Sequence, residues 1–180
     1  MFLQNMRNIS EKMNKIYYVG GAKGVGKTTL LTDIAKEKGL QIVNTGSFFY
    51  VKQPKKIIKA TVVNHLIKNT PLIADTHYAG FIDGEYSGKY ERTLYVDELA
   101  LLAENSDLEL ILVEIDPEKL FSRRSLATNK KRNLNIEHVR AELRYNRKYF
   151  HDYCEQLSQQ GFIINNNDFE EAKKKLASIF

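Results

Sequence analysis

The chain has 180 residues, 43% of them hydrophobic and 27% charged, which is ordinary for one soluble globular domain with a sizeable core. No apolar run approaches the roughly 20 residues that a membrane-spanning helix needs, and the single cysteine, Cys154, excludes an internal disulfide or a thiolate-rich zinc site and suits the cytoplasm. The net charge of +5 is concentrated in residues 123–148, which hold nine Lys or Arg against two acids, so we expect an anionic partner there.

The first half of the chain alternates short apolar runs with stretches of helical periodicity. We predict strands at 15–20, 40–43 and 71–75. We predict helices at 27–38, ended by Gly39, and at 54–67, opened by Pro54. Residues 76–91 are rich in glycine, tyrosine and charge, which favours a loop.

The second half repeats this alternation. We predict strands at 108–115 and 161–165. We predict helices at 94–104, at 117–126 with Pro117 in its first turn, at 136–160, and from Asp168, as its N-cap, to the C-terminus. A polar, basic stretch at 128–135 interrupts the helical pattern. Strands that alternate with helices indicate a parallel sheet covered on both faces.

One glycine-rich loop carries the clearest functional signal: Gly21-Ala22-Lys23-Gly24-Val25-Gly26-Lys27-Thr28. It follows a predicted strand and opens a predicted helix, which is the context that a phosphate-binding P-loop requires. Its backbone N–H groups and the helix N-terminus would hold the phosphates of ATP, and of GTP less well. We expect Lys27 to reach the β- and γ-phosphates, Thr28 to ligate Mg²⁺ and Thr29 to complete the nucleotide contacts.

The magnesium ion of a P-loop protein also needs an acidic group. Asp75 ends a predicted apolar strand, and the carboxyl ends of parallel strands border the ligand crevice. We therefore predict a metal site made of Thr28 and Asp75. Asp116 is the main rival, although Pro117 after it favours a capping role. Other acids that follow Asp75 are Asp83, Asp97 and Glu98.

Four stretches of the chain resemble the nucleoside monophosphate kinases, most closely the compact archaeal-type adenylate kinases and the adenylate kinase-like ATPases of ribosome assembly. They are the P-loop, then Val43-Asn44-Thr45-Gly46-Ser47, then Asp75-Thr76-His77, and finally the basic run of Arg123-Arg124, Arg132 and residues 136–144. The resemblance covers nearly the whole chain after Lys15.

This resemblance implies a P-loop NTPase three-layer α/β sandwich, with a five-stranded parallel sheet, helices on both faces, a monophosphate-binding segment at about 46–70 and a lid at about 128–135. It also implies Mg²⁺-dependent transfer of the ATP γ-phosphoryl group to a nucleoside monophosphate, with AMP as the expected acceptor. The implied catalytic residues are Lys27, Arg123, Arg124, Arg132 and Arg144. The implied acceptor-binding residues are Thr45, Gly46, Ser47 and His77.

The acceptor side departs from the family. Tyr50 stands where larger adenylate kinases carry an arginine that holds the acceptor phosphate. Two other functions therefore stay open: an RNA- or ribosome-associated ATPase, for which no RNA-recognition motif is present, and a kinase of a small alcohol, for which Asp75 would serve as the base. Base specificity and oligomeric state stay open as well.

Overall fold

Seven strands and six helices make up the computed structural model, which describes residues 14–50, 52–82, 89–127 and 134–180. The strands are β1 (Lys15–Gly20), β2 (Gln41–Asn44), β3 (Leu72–Asp75), β4 (Ala79–Phe81), β5 (Tyr90–Arg92), β6 (Asp107–Glu114) and β7 (Phe162–Asn165). The helices are α1 (Lys27–Lys38), α2 (Lys55–Lys68), α3 (Val96–Asn105), α4 (Pro117–Leu126), α5 (Ile136–Gln156) and α6 (Phe169–Ala177). A short 3₁₀ helix covers Thr45–Tyr50.

Five strands form a parallel sheet in the order β2-β3-β1-β6-β7. The three central strands are buried almost throughout, because helices cover both faces of the sheet. Tyr17 and Tyr18 are neighbours in β1 and point to opposite faces, each into a different apolar cluster. This arrangement confirms the predicted α/β fold class and aligns the carboxyl ends of β1, β3 and β6 at one edge.

Helix α5 connects the two apolar clusters. Val139 and Leu143 near its start pack with α1 and α6 on one face of the sheet. Phe150 and Tyr153 near its end pack with α2 and α3 on the other face. The helix ends at Gln156, four residues earlier than predicted. The turn that follows brings Gly161 so close to Phe150 that an added Cβ would lie 2.5 Å from the ring.

The stretch predicted as a loop at 76–91 contains a small antiparallel ribbon. Strands β4 and β5 pair with Ala79 opposite Arg92 and Phe81 opposite Tyr90. The side-chain carbonyl of Asn146 accepts bonds from the backbone N–H groups of Tyr78 and Ala79, which ties the ribbon to α5. Three-residue strands carry too weak a period-2 pattern to predict, and contacts to a distant helix stabilise them.

The start of α6 follows the predicted cap, and the start of α5 has a cap that the sequence did not indicate. The side chain of Asp168 accepts a bond from the backbone N–H of Glu171 at the start of α6. Asn135 does the same for Glu137 and His138 at the start of α5. The predicted lid at 128–135 falls mostly on residues 128–133, which lie outside the described ranges. Across those ranges, no helix combines the length and apolar character needed to cross a bilayer.

Candidate active site

The P-loop joins β1 to α1 and has the curled backbone that the sequence predicts. Gly21 has φ +146° and Gly26 has φ +96°, values that favour glycine. A Cβ on Gly21 would lie 2.3 Å from the carbonyl oxygen of Val113, and one on Gly26 would lie 2.5 Å from Nδ2 of Asn166. The loop is therefore packed against β6 and the chain after β7, and only glycine fits at these two positions.

Lys27 lies inside the curl of the loop and is 6% exposed. Its Nζ donates to the carbonyl oxygens of Gly21, at 2.8 Å, and Ala22, at 3.4 Å. His77 Nδ1 lies 2.6 Å from the Gly21 oxygen and, because a carbonyl only accepts, this nitrogen carries the proton. The ammonium is thus held at the N-terminus of α1, where phosphate oxygens bind in P-loops.

Thr28 and Asp75 meet as the sequence predicts. Thr28 Oγ1 donates to Asp75 Oδ2 at 2.9 Å, and Asp75 is 7% exposed at the end of β3. Mg²⁺ binds one or two carboxylates together with phosphate oxygens and water, so this hydroxyl–carboxylate pair fits the ion when a nucleotide supplies the rest. Asp116, the rival, is exposed at the end of β6.

A cavity of about 910 Å³ runs from the P-loop to the ribbon. The end beside the P-loop is lined by Lys23, Gly24, Gly26, Lys27, Thr28, Thr29, Asp75 and Glu142. Its other end is lined by the 3₁₀ helix, α2 and the ribbon: Asn44, Thr45, Gly46, Ser47, Phe49, Tyr50, Gln53, Lys55, Ile58, Lys59, His77, Ala79, Gly80, Phe81, Glu91, Arg92 and Thr93. Ala22 and Val25 are fully buried behind the loop, so they shape its backbone.

The predicted acceptor residues lie on this cavity but differ in how they are engaged. Thr45 is 2% exposed, and its hydroxyl donates to Thr76 Oγ1 at 2.8 Å. Ser47 is exposed and donates to the Asn44 carbonyl oxygen at 2.7 Å. Thr45 therefore ties the end of β2 to the chain after β3, whereas Gly46 and Ser47 form accessible wall. Their contact with an acceptor stays a prediction.

Two of the predicted catalytic arginines, Arg123 and Arg124, contact the P-loop from outside the cavity. Arg123 donates to the carbonyl oxygens of Val25, at 3.4 Å, and Asn166, at 3.3 Å. Arg144 is exposed on α5, with its guanidinium over the ring of Tyr145. Arg132 lies outside the described ranges. In this conformation the side chains of Arg123, Arg124 and Arg144 do not line the cavity, and their catalytic roles stay predictions.

Arg124 forms a buried ion pair that the sequence did not reveal. It is 3% exposed, and its guanidinium donates to Glu142 Oε2 at 2.7 Å and to the Lys23 carbonyl oxygen. Glu142 Oε1 in turn accepts the Lys23 backbone N–H at 2.7 Å. The pair thus holds both peptide groups of Lys23 and fixes the P-loop to α4 and α5.

We expect Arg124→Met to lower the free energy of unfolding by about 3–5 kcal/mol, because it leaves the Glu142 carboxylate buried without its cation. Urea denaturation measures this loss. The matched control is Arg140→Met, whose guanidinium pairs with Glu118 and Glu137 at an exposed site; we expect a much smaller change there. A variant of unchanged stability that loses turnover would instead support the predicted catalytic role of Arg124.

In the described part of the basic segment at 123–148, acids or backbone carbonyls of the fold engage five of the six cations, and the sixth, Arg144, is exposed. Four of these cations form salt bridges. The pairs include Arg124–Glu142, Arg140–Glu118, Arg147–Glu114 and Lys148–Asp152. Arg123 donates to backbone carbonyls, and Lys130, Lys131 and Arg132 lie outside the described ranges. The described part of the segment therefore does not present the unopposed positive surface that its sequence suggests.

Comparisons with known proteins support the fold. No family model matches the sequence, and no curated protein sequence matches it. Solved structures do match. YorR from Bacillus subtilis, in complex with phosphorylated GDP, is 14% identical over 91% of this chain and 94% of that chain, with a TM-score of 0.65. Shikimate kinase from Acinetobacter baumannii, in complex with shikimate, is 16% identical over 96% and 93%, with a TM-score of 0.60.

Shikimate kinase from Bacteroides thetaiotaomicron is 14% identical over 93% of this chain and 98% of that chain, with a TM-score of 0.54. Identities this low establish shared architecture and not shared substrates. The resemblance to adenylate kinases is therefore supported only at the coarser level of fold. The chain has the fold of the P-loop kinases.

Proposed function

We propose that this protein transfers the γ-phosphoryl group of Mg·ATP to a nucleoside monophosphate, with AMP as the expected acceptor. One observation carries the proposal: Lys27, Thr28 and Asp75 converge at one end of a cavity that continues to a basic wall built from α2 and the ribbon. Such a cavity can align two polyanions, and positioning with charge neutralisation is most of what phosphoryl transfer requires.

The proposed reaction needs no general base. An oxygen of the acceptor monophosphate attacks the γ-phosphorus, the bond from that phosphorus to the β,γ-bridging oxygen breaks, and its electron pair stays on the departing ADP. The second pKa of a phosphate monoester is about 6, so the attacking oxygen is already anionic near neutral pH. Lys27 neutralises charge that develops on the transferred group, and bound Mg²⁺ would do the same beside Thr28 and Asp75.

The carboxylates of the cavity favour a phosphate acceptor over an alcohol. An alcohol acceptor needs a base, yet each of the three lining carboxylates already accepts bonds within the fold. Asp75 accepts from Thr28, Glu142 accepts from Arg124 and Lys23, and Glu91 pairs with Lys55. An anionic acceptor instead matches the cations that line the cavity, which are Lys55, Lys59 and Arg92 on the wall of α2 and the ribbon and Lys23 and Lys27 at the P-loop end.

A panel of acceptors tests the proposal. With Mg·ATP and AMP, we expect two ADP molecules for each AMP consumed, as measured by chromatography of the nucleotides. CMP, UMP and GMP define base specificity, while shikimate and gluconate test the alcohol alternative. Hydrolysis that ignores AMP but rises with added RNA would favour the ATPase alternative, and phosphorylation of an alcohol alone would replace the proposed acceptor class.

A further inference from the structure

Lys59 is a buried cation on the wall of the acceptor half of the cavity. It is 1% exposed and lies on the face of α2 that also buries Ile58, Val62 and Val63. Its Nζ donates to the Arg92 carbonyl oxygen at 3.2 Å and lies 3.2 Å from the centroid of the Tyr95 ring. No carboxylate in the described ranges forms a salt bridge with it.

This environment disfavours the charge of Lys59. Burial lowers the pKa of its ammonium, and the more distant carboxylates of Glu98 and Glu91 oppose that shift only in part. An ammonium has three N–H donors; here one meets a carbonyl oxygen and the ring face receives another. Buried cations in proteins are normally paired with an anion, so the missing partner points to a negatively charged ligand.

The neighbouring residues Arg92 and Thr93 each have a buried polar side-chain atom without a hydrogen-bond partner in the described part of the chain. Among the described residues, nothing accepts from or donates to the buried Thr93 Oγ1, and nothing accepts from the buried Arg92 Nε. Both residues line the cavity, and Thr93 Oγ1 would be 3.6 Å from a Cβ placed on Gly80. The glycine thus leaves room in front of the hydroxyl. Buried groups without partners are costly in a fold, which suggests that they serve a ligand.

The side chain of Arg92 is held in place by residues of α5. Its Nη2 pairs with Asp152 Oδ2 at 2.6 Å, and its guanidinium lies over the rings of Tyr149 and Tyr153. The carbonyl oxygen that Lys59 bonds and the orphaned Nε belong to this same residue. The end of β5 is therefore fixed, and the Arg92 carbonyl oxygen ties Lys59 of α2 to it beside Thr93.

We infer that Lys59, Thr93 and Arg92 form the subsite that binds the acceptor's phosphate monoester and selects anionic acceptors. This inference rests on the proposed function, since it names the residues that recognise the acceptor of that reaction. The subsite would take the place of the arginine that the resemblance leads one to expect at Tyr50. Tyr50 itself is 89% exposed and lines the cavity. Lys59 is here a specificity-determining residue, not one that acts on ATP.

The experiment compares Lys59→Met and Thr93→Val with the control Lys56→Met, an exposed lysine one turn earlier on α2. Calorimetry with AMP-PNP and Mg²⁺ present gives the affinities for AMP, adenosine and inorganic phosphate, and steady-state assays give KM and kcat. We expect Lys59→Met to weaken AMP about 10- to 100-fold and Thr93→Val about 10-fold, the range for hydrogen bonds to charged groups. Neither substitution should change the affinity for adenosine or the KM for ATP. The control Lys56→Met should keep all wild-type values.

The outcomes separate this inference from the proposed function. If the wild-type protein phosphorylates AMP and Lys59→Met leaves AMP affinity unchanged, the subsite is refuted and the proposed function stands. If no nucleoside monophosphate is phosphorylated, the proposed function fails. The titration with inorganic phosphate then decides whether the subsite exists. Phosphate binding that Lys59→Met abolishes would uphold the subsite, whereas phosphate binding that is absent or insensitive to Lys59 would overturn it.

Thermal unfolding distinguishes recognition from a structural role. Since Lys59→Met removes a cation whose burial is unfavourable, we expect the Tm of the ligand-free protein to stay the same or rise. A Tm lowered by more than about 4 °C, with parallel losses of ATP and AMP affinity, would assign Lys59 to the fold and overturn the inference. A higher Tm with selective loss of AMP binding is the signature that supports it.

Discussion

Lys27→Met should reduce kcat/KM for phosphoryl transfer about 10³-fold, which corresponds to about 4 kcal/mol of lost transition-state stabilisation. In the fold, Nζ of Lys27 donates to the carbonyl oxygens of Gly21 and Ala22, directly at the start of α1. A short shift of this ammonium toward bound phosphates would bring it to the charge that develops on the transferred group. Steady-state assays with the acceptor identified by the panel measure the effect.

Lys36→Met is the matched control for this prediction, because Lys36 is an exposed lysine on the same helix. We expect it to keep wild-type kinetics. The Tm of Lys27→Met should stay close to that of the wild type, since the substitution also removes a buried cation. Turnover within about tenfold of the wild type would show that Lys27 is not the catalytic lysine, whatever the acceptor.

The placement of the residues that we expect to bind nucleotide could be predicted because its determinants are local. Gly21 and Gly26 specify a backbone that few other residues adopt, and Lys27 and Thr28 follow them directly. Asp75 was found by a topological rule, since the end of β3 must lie beside the end of β1 in a parallel sheet. In both cases a short stretch of sequence determines where the side chain lies.

The other half depends on contacts between distant residues. The ribbon of β4 and β5 is stabilised by Asn146 and by Tyr145, whose ring stacks on Tyr90 at 4.8 Å. The sequence of residues 76–91 does not indicate that Asn146 and Tyr145 contact them. The same holds for Arg124, which sequence alone could not distinguish from an arginine that reaches phosphate. Its burial depends on Glu142, one of four acids in α5, and the sequence does not show which of them it meets.

Lys59 was missed although a signal was present. It stands three, four and seven residues before Val62, Val63 and Leu66, so helical periodicity places it on the buried stripe of α2. The prediction of a helix at 54–67 does not distinguish Lys59, which is buried, from Lys55 and Lys56, which are exposed. A lysine at a buried position of an apolar helix face is a reason to expect an anion there, because buried charges are normally paired.

Asp75→Asn should raise the Mg²⁺ concentration for half-maximal activity about 10- to 100-fold, the range for losing a partner that orients the ligands of a bound metal. The amide oxygen can still accept the hydrogen bond from Thr28, so the local structure should persist while the negative charge is lost. Titration of activity with Mg²⁺ at fixed nucleotide, together with Tm, measures both effects. A structural role alone would lower stability without shifting the metal dependence.

Asp116→Asn provides the comparison that decides between the two carboxylates. Asp75 ends β3 and Asp116 follows β6, and both strands flank β1, but only Asp75 is buried and bonded to the P-loop hydroxyl. The structure therefore predicts that Asp116→Asn leaves the Mg²⁺ titration unchanged. If Asp116→Asn shifted the titration and Asp75→Asn did not, the metal would sit at the end of β6, and the alignment of ATP with the cavity would have to be redrawn from that edge.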